Sequence, residues 1–304
     1  MNDAILAQAA KSIRAAQPGL PVVQTFFHEP SCTASYVIHD PATKAAAIID
    51  AVLDYEAASG RTSTRSADAI RSYVDQHALS VQWLLETHAH ADHLSGAPYL
   101  HSILGGKLAI GRNIVQVGRT LGALFNMAAT DGIEFDRLFD DGDCFSIGEL
   151  TATVLHVPGH TPADVAYVIG DAAFVGDTIF MPDYGTARAD FPGGNARQLY
   201  GSIRRLLALP ADTRMFVGHD YKAPGRDRYA WQTTVGAQRS DNVHVRDGVS
   251  EADFALMRER RDATLAVPQL LLPAIQVNIR GGRLPPAQTN GIRYLKIPLD
   301  AFGK

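Results

Sequence analysis

Thr87-His88-Ala89-His90-Ala91-Asp92-His93 is the stretch on which the reading of this chain turns. It follows directly on the apolar run Val81-Gln82-Trp83-Leu84-Leu85, which has the β-branched and aromatic character of a strand. Packing gives no reason to crowd three imidazoles and a carboxylate into the six residues from His88 to His93. Where a strand ends and the chain turns, alternate side chains converge on one point above the sheet. Imidazole nitrogen with carboxylate oxygen is the donor set of a borderline divalent metal. The competing reading, a solvated histidine-rich loop, leaves the preceding strand unexplained.

Three later segments repeat the form. His160 follows the tight turn Pro158-Gly159 at the end of the run Thr151–Val157, Asp177 closes Ala172–Asp177 after Gly176, and His219 follows Gly218 after Arg214–Val217. Taken singly, these would be a surface histidine or a turn aspartate. Together, four strand ends deliver metal-capable side chains, and a joint site accounts for them better than four separate structural roles. His28, His39, His77, His101, His156 and His244 lack the pattern and are given structural or surface roles.

The motif's own strand is expected over Val81–Thr87, and outward from these segments further strands are expected at Val22–Phe27, Ser35–Ile38, Ala45–Asp50, Lys107–Ile110 and Val165–Ile169, with a hairpin joint at Gly170-Asp171. Ile5, Ala9 and Ile13 recur at helical spacing. Ser66 is placed to cap a helix presenting Ile70, Tyr73, Val74 and His77, and Asn195 one presenting Leu199, Ile203, Leu206 and Leu207. Strand runs interrupted by helices predict an α/β protein with two sheet layers between helices. An N-terminal helix over 1–20, a main body over 21–222 and a C-terminal appendage over 223–304, with a helix from Glu251 to Ala263, complete the expectation.

Bulk properties narrow the function classes. A chain of 304 residues with 46% hydrophobic and 20% charged residues reads as globular rather than disordered. A net charge of -4 argues against nucleic acid as a partner, because neutralising phosphates requires a basic surface. Two cysteines, Cys32 and Cys144, are too few for a disulfide framework and suit a reducing compartment. Both are expected as small core residues, with Cys32 beside Pro30 the more open. The stretch Leu265–Val277 contains two prolines and is short of the ~20 apolar residues a bilayer span needs. A cytoplasmic protein without membrane contact is the expectation, and a homodimer is compatible with it.

The HxHxDH motif with the later histidine, aspartate and histidine resembles the metallo-β-lactamase superfamily over about residues 20 to 220, which implies an αββα sandwich. A narrower resemblance lies in GDTIFMPDYGTARADFPGG, VGHDYKAPG and TTVGAQRSDN. These are similar to persulfide dioxygenases, also called sulfur dioxygenases. Arg188, Asp190 and Phe191 match that family's Arg-x-Asp-Phe element, and His219, Asp220 and Tyr221 its His-Asp-Tyr. The tail LLPAIQVNIRGGRLPP resembles the β-lactamase-like hydrolase branch of sulfide detoxification. Thr186 stands where the family usually has a cysteine, and the segments 54–78 and 112–135 are less well covered.

The resemblance implies one Fe(II) held by His88, His160 and Asp177, leaving open positions where O2 and a substrate thiolate meet. It further implies oxidation of glutathione persulfide to sulfite and glutathione. His90, Asp92, His93 and His219 would orient the ligands from outside, with Asp92, His219 and Tyr221 assisting the chemistry. Arg188 is the leading candidate for the carboxylates of glutathione, with Arg239, Lys222 and Arg280 behind it. The alternative is a two-zinc hydrolase of glyoxalase II type that uses the same histidines, in which Asp177 bridges the ions, Asp92 is a direct ligand of the second, and His90, His93 and His219 serve the two-metal site rather than an outer shell.

Overall fold

The computed structural model describes residues 3–17, 19–128 and 131–301. Helix α1 (Asp3–Ala15) precedes β1 (Val22–His28), β2 (Thr33–His39), β3 (Ala45–Ile49), β4 (Val52–Glu56) and β5 (Arg61–Ser63). Next come α2 (Arg65–Gln76), β6 (Ser80–Leu85), β7 (Leu94–Ser95), α3 (Ala97–Leu104), β8 (Lys107–Gly111), α4 (Ile114–Leu124) and β9 (Arg137–Phe139). The second half runs β10 (Cys144–Ile147), β11 (Leu150–His156), β12 (Val165–Ile169), β13 (Ala172–Phe174), α5 (Ala196–Leu206) and β14 (Arg214–Phe216). It continues with β15 (Gln232–Thr234), α6 (Val235–Asp241), α7 (Glu251–Asp262) and α8 (Leu271–Asn278). One sheet has the order β1-β2-β3-β6-β8-β9, the other β10-β11-β12-β13-β14-β15, and β5-β4-β7 form a small third sheet.

Alternation along the strands makes the layers. Tyr36 and Ile38 of β2 and Val165, Tyr167 and Ile169 of β12 meet in one apolar core between the two large sheets. Their neighbours point the other way: Val37 packs beneath α2, α3 and α4, while Ala166 and Val168 pack with α1, α5 and α7. Period-two burial on both faces requires a helix layer outside each sheet, which is the expected αββα sandwich. Two buried tyrosines seal the sheet ends: Tyr36 donates to the Val217 carbonyl at 2.6 Å and Tyr167 to the Glu86 carbonyl at 2.8 Å. Both acceptors lie in loops that carry the site.

Several local expectations shift. β6 ends at Leu85 and β13 at Phe174, so Glu86–Thr87 and Val175–Asp177 are already turning toward the site rather than continuing the strands. Thr64, not Ser66, is the residue preceding α2; the Ser66 amide and hydroxyl are both taken by the Asp54 carboxylate. On α2, Ile70 and Val74 are buried and His77 is exposed, because the helix ends at Gln76. Asn195 does cap α5, accepting from the Gln198 amide at 2.9 Å. Cys144, expected in the core, is exposed, since it shares the outward side of edge strand β10 with Ser146. Within residues 223–301, β15 extends the second sheet, α7 packs on α5 and α8 lies on β7. Pro273 falls in the first turn of α8, where its missing N–H costs no helical hydrogen bond.

Candidate metal centre

The motif loop leaves β6 pinned by one buried carboxylate. Asp50 accepts from the Thr87 amide at 2.7 Å and from its hydroxyl at 2.8 Å. With its proton given to Asp50, the Thr87 hydroxyl accepts from His88 Nδ1 at 3.0 Å, which leaves His88 Nε2 with a free lone pair. His160 is oriented the same way: Nδ1 donates to the Arg188 carbonyl at 2.8 Å. Asp177 follows Gly176, whose φ of 49° turns the chain out of β13. Gly218 packs against that turn so closely that a Cβ there would stand 2.7 Å from Asp177 Oδ1. The glycines before Asp177 and His219 are therefore steric: a Cβ on Gly176 would stand 2.6 Å from Thr87 Oγ1, and the loops must touch to bring their donors together.

Asp177 Oδ2 lies 3.9 Å from His88 Nε2 and 3.8 Å from His160 Nε2. Both separations are too long for a hydrogen bond. They suit groups that face a common cation, and these three donor atoms lie within 4.8 Å of one another. Burial, reinforced by His90 and His160, holds the His88 imidazole well below its usual pKa and so keeps it neutral and ligating. The donor set fits a metal ion.

Around this trio, three more imidazoles each commit one nitrogen to the protein. His90 Nε2 lies 3.0 Å from Asp50 and 3.2 Å from Glu86, and its Nδ1 has no partner. Burial opposes charge on His90, but Asp50 and then Glu86 outweigh it and raise its pKa well above the usual value. His93 Nδ1 donates to Asp92 at 2.9 Å, leaving Nε2 without a partner. His219 Nδ1 donates to the Cys32 carbonyl at 3.1 Å, and its Nε2 faces Asp177 at 3.3 Å and Asp92 at 3.6 Å. Burial resists the ionised form of Asp92 too, yet His219 and His93 hold its carboxyl well below the usual range.

A cavity of about 360 Å³ opens onto this cluster, with Asp92, His160 and Asp177 in its wall beside Phe180, Phe191 and Tyr221. Tyr221 stacks on His219 with ring centres 5.4 Å apart and 15° between planes. Although 42% exposed, Tyr221 keeps its proton, because desolvation by the packed wall and then Asp177 and Asp92 raise its pKa well above the usual value. Arg188 lines the cavity, but its guanidinium is already paired with Asp190 at 2.6 and 2.9 Å and donates to the Ala266 carbonyl. Arg239 is a correction: it lies on α6, paired with Asp247 at 2.8 Å, and does not line the cavity. Lys222 sits over the Tyr229 ring, and neither it nor Arg280 reaches the cavity wall.

Sequence reasoning missed residues that hold the site from behind. Asp50 and Glu86 carried the same signal as Asp177, an acid ending an apolar run. Asn278 carried none, yet its amide donates to the His90 and His93 carbonyls at 2.8 Å each and accepts from the Ser95 amide at 2.9 Å. Arg258 and Asp262 of α7 hold the loop that orients His160: Arg258 donates to the Thr186 carbonyl, and Asp262 accepts from the Ala189 amide.

An αββα sandwich with a histidine- and aspartate-lined centre at the ends of its strands defines a metallo-β-lactamase-type protein. The profile of the Metallo-beta-lactamase superfamily matches residues 31–219, and the chain belongs to that superfamily. It is 52% identical over 293 residues to a probable metallo-hydrolase of Burkholderia pseudomallei, spanning 92% of this chain and 99% of that one. It is 30% identical over 287 residues to the mitochondrial persulfide dioxygenase ETHE1 of Homo sapiens, spanning 93% and 98%. Among solved structures it is similar to ETHE1 from Myxococcus xanthus, with a TM-score of 0.69 and 30% identity over 86% of this chain and all of that one.

Proposed function

We propose that the chain is a non-haem iron persulfide dioxygenase that converts glutathione persulfide, O2 and water to glutathione and sulfite. The observation that carries this reading is the convergence of His88, His160 and Asp177 within 4.8 Å, with both imidazoles oriented to present Nε2. His90, Asp92 and His93 also lie within that distance of one another, and the second reading below rests on them. Two imidazoles and one carboxylate leave several coordination positions for small ligands. Likeness to persulfide dioxygenases over nearly the whole chain supports the same reading.

When bound there, Fe(II) would supply the redox chemistry that lets O2 react with the terminal persulfide sulfur. The protein's part is placement. The Thr87 hydroxyl and the Arg188 carbonyl fix the tautomers of His88 and His160, so that Nε2 of each is the ligand. Phe180 and Phe191 line the cavity beside the ligands and exclude water. Tyr221 Oη, kept protonated, offers a hydrogen bond to a developing negative charge on sulfur or oxygen. Arg188, satisfied by Asp190 and Ala266, shapes the wall.

A second reading has its own observations. The relative at 52% identity is named a probable metallo-hydrolase. The unpartnered nitrogens of His90 and His93 would both find ligation in a two-zinc thioester hydrolase. One experiment separates the two. Anaerobically purified, iron-loaded protein given glutathione persulfide is expected to consume O2 and release sulfite in equal amounts. Hydrolysis of a glutathione thioester without O2 uptake, by protein carrying two zinc ions, would replace the oxygenase by the hydrolase.

A further inference from the structure

Three arginines line the cavity, and two of them are spent. Arg188 is paired with Asp190 and bonded to the Ala266 carbonyl. Arg258, 1% exposed, pairs with Asp262 and donates to the Thr186 carbonyl. The third, Arg261, stands in the last turn of α7 and makes no ion pair among the described residues. Its guanidinium carbon lies 6.0 Å from the centre of the Tyr184 ring, close enough for the ring face to steady the cation without neutralising it. Tyr184 packs against Tyr221 at 5.2 Å, and Tyr221 stacks on His219. A continuous aromatic wall thus runs from an unneutralised cation to the metal-binding cluster.

We infer that Arg261 is the specificity-determining residue of this cavity: it binds a carboxylate of the substrate near the mouth, while the substrate's sulfur lies among His88, His160 and Asp177. The inference rests on the proposed function for the sulfur end and names the substrate class at the other, a thiol derivative that carries a carboxylate. Charge distribution favours this polarity. The inner end of the cavity is lined by Asp92 and Asp177, which repel a carboxylate unless metal intervenes, and Arg261 supplies the compensating attraction. A planar guanidinium with free N–H groups is also the geometry that holds a carboxylate through two parallel hydrogen bonds.

The test is binding, read by calorimetry on the metal-loaded full chain. The probes are glutathione, which carries two carboxylates, and 2-mercaptoethanol, an uncharged thiol with none. Wild-type protein is expected to bind glutathione more tightly than 2-mercaptoethanol. Arg261→Gln should weaken glutathione roughly tenfold or more and leave 2-mercaptoethanol unchanged, because only a charge-assisted hydrogen bond has been removed. Arg261→Lys should recover part of the loss, and Arg260→Gln, on the same exposed turn but off the cavity wall, should change nothing. Equal affinity of wild type and Arg261→Gln for glutathione overturns the assignment. So does a loss shared by both probes, or a wild type that does not prefer glutathione. These outcomes are independent of O2 uptake: a hydrolase of glutathione thioesters needs the same carboxylate anchor, so failure of the oxygenase reading leaves the comparison intact.

Discussion

His244 shows how much one side chain outside the cluster controls. Its Nδ1 accepts from the Thr186 amide at 3.1 Å and lies 3.2 Å from the Thr186 hydroxyl, so it fixes the start of the loop whose Arg188 carbonyl orients His160. Protonation would turn that acceptor into a donor facing an N–H. Burial, followed by the Arg258 and Arg261 guanidiniums, pushes its pKa from 6.5 down to about 4. Between those values the unfolded chain holds a proton that the folded chain does not. Stability therefore rises with pH across the window and is lost as pH falls from about 6.5 toward 4. The full shift corresponds to roughly 3 kcal/mol. In urea unfolding at pH 7 and pH 4.5, wild type should lose about 2–3 kcal/mol more than His244→Gln, which keeps an acceptor for the Thr186 amide but does not titrate. Titrating metal ligands act on both proteins and cancel in the difference. Equal losses would show that His244 is not held neutral.

At the scale of elements, α7 and α8 brace opposite sides of the centre. α7 reaches the His160 side through Arg258 and Asp262, and α8 reaches the motif loop through Asn278. Asn278 is 4% exposed and makes three hydrogen bonds, two to the carbonyls that bracket Asp92. Asn278→Ala would strip partners from buried backbone groups, each costing about 1–3 kcal/mol when left unmade. The expected result is a loss of roughly 2–4 kcal/mol in denaturant unfolding, with weaker metal binding because the motif loop gains freedom. Metal affinity equal to wild type, measured by competition with a chromophoric chelator, would confine Asn278 to a structural role. The Pro/Gly punctuation around α8 hid this contribution: two prolines broke the apparent periodicity of Leu265–Val277, although one of them sits harmlessly in the first turn.

For the whole molecule, what was legible was whatever depends on local pattern. The central strands of both large sheets follow from apolar, β-branched runs, though β9, β10 and β15 at their edges were not expected; His88 announced itself as a ligand-type residue after a strand, and His160, Asp177 and His219 after strand and glycine. Contacts between distant segments were not legible. Nothing near Arg188 in sequence reveals that the Ala266 carbonyl, 78 residues on, accepts from its guanidinium, or that Arg261, 73 residues later, stands without an ion pair on the same wall. The same long-range assembly makes the metal part of folding. The fold gathers five imidazoles and four carboxylates into one cluster, and sets the donor atoms of His88, His160 and Asp177 within 4.8 Å of one another at separations too long for hydrogen bonds. Buried donor atoms facing one another in this way cost free energy that an ion returns. An ion at a thousand times its dissociation constant stabilises the folded chain by about 4 kcal/mol. For a chain of this size, that raises the melting temperature by roughly 6 °C. Calorimetric melts of iron-loaded protein should therefore fall by several degrees on treatment with a strong chelator. His88→Ala, deprived of one of three ligands, should melt at one temperature with or without it. If chelation leaves the wild-type melting temperature unchanged, the cluster is a hydrogen-bonded network and not a metal centre.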